Sequence, residues 1–149
     1  MSLASDWRRL KAMSWRDCFF LAEASFVLAV ASLAIHLMPF RRVVSAVSRD
    51  GGAKTDRAGS FDEIARARWA VEACARRLPW KIVCFQKGLA MQVLLRRRGI
   101  ATALHYGVAQ DQERGLSAHV WVTYAGEAII GGDRAGEYTC LATFPSRSS

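Results

Sequence analysis

Apolar residues crowd the first third of the chain, recur at helical spacing through its middle and alternate with polar ones toward its end. From Cys18 to Phe40 only Glu23 and His36 break an apolar run, with Pro39 near its end. The run predicts a long helix. Its small or polar residues Ala22, Ser25, Ala29, Ser32 and His36 fall at spacings of three and four, on one face opposite Phe26, Val30, Leu33 and Leu37. Ahead of it, Trp7, Leu10, Met13 and Trp15 among Arg8, Arg9, Lys11 and Arg16 predict a short amphipathic basic helix. Residues 1–47 thus read as an N-terminal apolar helical segment. The favoured placement of the long helix is buried or docked on a partner. The alternative is a helix on or through a membrane, since the run sits at the low edge of what spans a bilayer.

Residues 48–60, polar and glycine-rich, read as a flexible linker. Ser60 with Glu63 makes a capping-box signal for a helix running to about Leu78, with Ile64, Ala67, Trp69, Val71 and Cys74 turned to the core. Pro79 bars that helix from continuing. Apolar positions at 85, 89, 93 and 94 then predict another helix of about four turns, with Gly99 as its stop. Beyond it the period becomes two. Strands are expected over 100–109, 117–124, 127–131 and 138–144, with a turn at Gly126. Helices followed by an antiparallel meander make an α+β fold, with residues 61–149 as its core.

Composition narrows the classes. Hydrophobic residues at 52% and charged ones at 23% in 149 residues describe one globular domain with a sizeable core. Four cysteines, at 18, 74, 84 and 140, form no close pair, which argues for free thiols in a reduced, cytosolic compartment and against a zinc site. The net charge of +8 comes from scattered arginine doublets and one triplet, Arg96 to Arg98, without a nucleic-acid recognition motif. Its expected use is attraction to an acidic peptide, an acidic partner or an anionic membrane surface, the last through residues 1–42.

Cys84 stands in or just before the first turn of the fourth predicted helix. Free amides and the positive end of a helix dipole favour a thiolate at such a position, and the same amides can bind an oxyanion. A thiol nucleophile needs a base, and the base an orienting group. His36 lies in the apolar helix and reads as packed or interfacial. His105 and His119 both lie on expected strands. His119 shares a face with Trp121, opposite Ala118, Val120 and Val122, but period alone does not say which face meets the helices. Asp133, just past the third strand, is placed to accept from the Nδ1–H of His119; Glu127 and Glu137 lie nearby. Two readings stay open at this level: a Cys84–His119–Asp133 triad, or a structural cysteine with a histidine packed beside Trp121.

The run Cys84-Phe85-Gln86-Lys87-Gly88-Leu89-Ala90, then Leu94 to Ile100, then Leu104-His105-Tyr106-Gly107-Val108, then Ser117-Ala118-His119-Val120-Trp121-Val122 resembles the transglutaminase-like leader peptidases of lasso-peptide biosynthesis. The apolar segment ending Leu37-Met38-Pro39-Phe40-Arg41-Arg42 is similar to theirs too. Val120 stands where many relatives carry Ala.

The resemblance implies a papain/transglutaminase-like core and a cysteine protease that removes the leader of a ribosomally made precursor. Cys84 would be nucleophile, His119 base and acid, and Asp133 the orienter, with no metal or organic cofactor. The partners implied are the precursor peptide, a separate winged-helix-like recognition protein and an ATP-dependent cyclase that takes the freed core amine. Residues before the catalytic part do not read as a fused recognition domain, so the chain resembles the stand-alone peptidase of a split system. Two rival functions are a non-catalytic peptide-binding scaffold subunit of a maturation complex and an acyl transferase of the transglutaminase type.

Overall fold

A computed structural model of the chain describes residues 13–49 and 58–144. The basic helix expected before residue 13 and most of the expected linker lie outside the described residues. Four α-helices precede a four-stranded antiparallel sheet: α1 (Trp15–Leu37), α2 (Phe40–Arg49), α3 (Phe61–Arg77), α4 (Cys84–Arg96), then β1 (Ala103–Asp111), β2 (Gly115–Tyr124), β3 (Glu127–Ile130) and β4 (Thr139–Phe144). The α+β class is as the period change requires.

The local signals work as physical stops. The Ser60 hydroxyl accepts from the Glu63 N–H at 3.2 Å and starts α3. After α4, Gly99 takes a left-handed turn at φ +76°, which only glycine adopts without strain. One core joins both halves: Phe20, Leu28, Val71, Leu89, Met91, Leu94, Leu104 and Val122 are all buried in a single cluster. α1 therefore belongs to the same packing unit as α3 and α4.

Glu23, which interrupts the apolar run, accounts for part of the arginine triplet. Its carboxylate, nearly buried, pairs with Arg98 at 2.6 Å and Arg97 at 3.3 Å, and Arg98 lies over the Phe20 ring at 3.9 Å. A second ion pair, Asp17 to Arg66 at 3.3 Å, ties α1 to α3. The triplet is thus partly a structural clamp, not a solvated helix end.

The sheet departs from a simple meander. Its strand order is β3-β2-β1-β4, so the last strand pairs with the first and not with the third. A short 3₁₀ helix, Gly132–Glu137, makes the connection. A meander is the shortest path, but Gly131 at φ +72° turns the chain off β3 and sends it past β2. Buried Gln92 then secures β4 by donating to the Phe144 carbonyl at 2.9 Å.

Candidate functional site

Cys84 is the first residue of α4, and its side chain is half-buried against the core. The residue before it, Val83, carries no side-chain acceptor, so among the described residues the N-cap position offers no side-chain bond to the first-turn amides. Gln86 instead secures the entry to the helix. Its Oε1 accepts from the Val83 N–H at 2.7 Å, and its Nε2 donates to Ser32 Oγ at 2.9 Å. Trp80 Nε1 donates to the same hydroxyl at 3.1 Å, and the Ser32 hydroxyl donates to the Leu28 carbonyl at 2.7 Å. The segment before the cysteine is therefore held by α1. Through its two bonds Gln86 links the entry of α4 to α1.

One turn further on, Gly88 meets the sheet. A Cβ there would lie 2.8 Å from Val120 Cγ1, so the absent side chain lets α4 approach β2 closely. Val120, larger than the Ala of the resembled family, fits because residue 88 is glycine. Val120 and Val122 thus form the face that α4 covers, and alternation turns His119 and Trp121 to the other. The question that period left open is answered.

On that second face four rings stand in a row. Trp121 stacks on His105 at 5.4 Å and on His119 at 6.1 Å, and Tyr138 meets His119 at 5.0 Å. Gly107, opposite His119 in the β1–β2 register, makes the room: a Cβ there would be 2.8 Å from the Trp121 ring. Tyr138 is brought over β2 by the 3₁₀ connection and bonded to Ser117 Oγ at 3.1 Å.

His119 Nε2 lies 2.7 Å from the Gly131 carbonyl oxygen. A carbonyl only accepts, so Nε2 carries a proton, and in the neutral ring Nδ1 is the basic nitrogen. This reverses the expected assignment, in which Nδ1–H met a carboxylate. Gly131 is suited to the role because its backbone presses on β2: a Cβ would lie 2.7 Å from the Val120 carbonyl oxygen.

Asp133 is exposed in the first turn of the 3₁₀ helix, and no hydrogen bond joins it to His119. Nor does one join Cys84 to His119. Glu137, bonded by Arg134 at 2.8 Å, is held below the usual carboxylate range chiefly by that hydrogen bond, with His119 the least of the contributors.

The structure also makes a thiol–imidazole contact that sequence order concealed. β4 beside β1 brings Cys140 Sγ to 3.9 Å from His105 Nδ1. Both ring nitrogens of His105 are already engaged by Thr143 and Thr123 hydroxyls, at 3.0 and 2.8 Å. Burial lowers its pKa. Cys74 is a core thiol, as its apolar position suggested, with Ser25 Oγ at 3.1 Å. Among the described residues no three His, Cys, Asp or Glu side chains converge where a metal ion would sit.

The sequence profile of the transglutaminase-like superfamily matches residues 21–143. The match begins within α1 and ends in β4, so it spans both the helix that holds the cysteine segment and the strand beside His105. No curated protein and no solved structure gives a significant match.

Proposed function

The chain belongs to the transglutaminase-like superfamily, and on that premise we propose that it is a cysteine peptidase that removes the leader from a lasso-peptide precursor. The observation that carries the reading is Cys84 opening α4 at a helix start whose N-cap residue offers the amides no side-chain bond. Those amides offer a developing oxyanion the donors it needs. The resemblance of the Cys84–Ala90 and Ser117–Val122 runs to lasso-peptide leader peptidases suggests the substrate class.

In this mechanism His119 Nδ1 takes the thiol proton, and the Cys84 sulfur attacks the scissile carbonyl. The oxyanion accepts from the Cys84 backbone N–H and one further donor. Collapse of the tetrahedral adduct breaks the peptide bond, and His119 returns the proton to the departing amine. Water then hydrolyses the thioester, leaving the leader with a carboxylate and the core with a free amine for a separate cyclase. α4 covers one face of the sheet and the imidazole lies on the other, so this mechanism requires β2 or the start of α4 to rearrange when the precursor binds. Asp133 or Glu137 would favour the imidazolium by charge alone, since Nε2–H stays on the Gly131 carbonyl.

The test is incubation of the purified chain with a candidate precursor, with and without a leader-recognition partner, read by mass spectrometry. Cleavage that vanishes in Cys84→Ala and falls at least about a hundredfold in His119→Ala supports the reading; cleavage that survives Cys84→Ala defeats it. Product mass separates hydrolysis from transfer to an amine.

A second reading has its own observation. Without a hydrogen bond between Cys84 and His119, the same fold serves as a non-catalytic peptide-binding subunit. It predicts a Cys84 thiol that iodoacetamide alkylates no faster than Cys18, and precursor binding without turnover.

A further inference from the structure

α1 is apolar on two sides. It buries Phe20, Val27 and Leu28 against the protein, yet a second set of large apolar side chains faces outward. Trp15, Phe19, Phe26, Val30, Leu33 and Leu37 are 76%, 57%, 66%, 49%, 59% and 72% exposed. At 100° per residue these six fall within an arc of about 60°, in a straight ridge about 33 Å long. A soluble helix ordinarily hides such a ridge.

We propose that the outer face of α1 beds in the plane of an anionic lipid bilayer. Three features favour lipid over a protein partner. The first is charge. Exposed Arg16 stands beside the Trp15 ring at one end of the ridge, and exposed Arg41 and Arg42 stand beyond the other. Glu23 is neutralised by Arg97 and Arg98, whereas at the Trp15 end Asp17 and Asp62 share Arg66 and Glu63 lines the groove beside Trp15. The cations that match lipid phosphates are therefore chiefly Arg41 and Arg42 at the far end.

The second is shape. The ridge is convex, and the groove flanking it is shallow, about 300 Å³. It is lined by Phe26, Val30, Met38, Leu89 and Val93, with Arg97 as its one charged residue. An apolar trough of this size fits an acyl chain, and Arg97, paired with Glu23, closes its end. The third is orientation. α1 passes the length and hydropathy test for a span, yet its inner side is tied to α3 and α4 by ion pairs at Asp17 and Glu23. Crossing the bilayer would drag those pairs into hydrocarbon, whereas lying in the surface leaves them intact.

The inference does not depend on thiol chemistry, so a catalytically dead Cys84→Ala chain should bind vesicles like the wild type. The experiment is flotation of the full chain with phosphatidylcholine vesicles, with and without about 30% phosphatidylglycerol. The chain should float with the anionic vesicles, less so at high salt. The pair Phe26→Ser and Leu33→Ser should weaken partitioning at least about tenfold, and Arg41→Gln with Arg42→Gln should weaken it and flatten its salt dependence. These positions are exposed, so circular dichroism of both variants should match the wild type. Brominated lipid should quench fluorescence that Trp15→Phe removes. No flotation, or flotation indifferent to the Phe26/Leu33 pair, overturns the proposal. So does a lipid-indifferent dimer that the same pair dissociates, since it would assign the ridge to protein contact.

Discussion

The cysteine and the histidine are held by opposite kinds of structure. Cys84 stands where a helix begins, and the chain before it is fixed by side-chain hydrogen bonds that reach back to Ser32 on α1. His119 stands mid-strand on the other side of the sheet, fixed by a backbone carbonyl and a row of stacked rings. The first arrangement depends on polar groups with definite partners. The second depends on glycines, at 107 and 131, that leave room for rings and backbone to close in. The two halves therefore fail in different ways.

The largest effect should come from Gly131→Ala. It forces a left-handed conformation on a residue with a Cβ and drives that atom into the Val120 carbonyl, at a cost of about 3 kcal/mol. Urea unfolding should show the loss, while the alkylation rate of Cys84 in the folded protein stays near wild type. If that rate falls in step with stability, the halves are one unit and the comparison breaks.

Gln86→Ala strands the Val83 N–H and removes one of the donors to Ser32. It should destabilise by about 2 kcal/mol and change Cys84 alkylation several-fold. The His119 imidazole resonances should not move. Trp80→Phe deletes a single hydrogen bond at an exposed edge and should cost about 1 kcal/mol, with a smaller change at Cys84 in the same direction.

The smallest effect is in pH. Burial lowers the pKa of His105 below its unfolded value. Its contribution to stability is complete above the unfolded value near neutrality and is lost as pH falls toward the lowered one. The melting temperature should drop between pH 7.5 and 5.5 by slightly more in the wild type than in His105→Gln.

Local chemistry made most of the fold legible. Ser60 and Gly99 bound helices because one side chain caps and the other lacks a Cβ, and strict alternation puts His119 with Trp121. Cys84 at a helix start follows from Pro79 and the apolar spacing after it. What the chain concealed is pairwise and distant. Glu23 and Arg98 are 75 residues apart, and Gln86 and Ser32 54; neither pair leaves a period to read. Counting strands gave four, but not that the fourth crosses to pair with the first, because that depends on a turn at Gly131 and a 3₁₀ bridge. The ring nitrogen facing Gly131 was equally hidden, since carbonyls bear no sequence signature.

α1 is pinned at two heights, to Arg66 near its start and to Arg97 and Arg98 a turn and a half further along. A rod fastened at two points neither slides nor spins on its axis. Pressure on its outer side is then carried as a tilt of the whole rod, and Ser32, beyond the second pin, travels with it. The loop from Trp80 to Val83 hangs from that hydroxyl, so the geometry at the thiol is mechanically tied to whatever α1 leans upon.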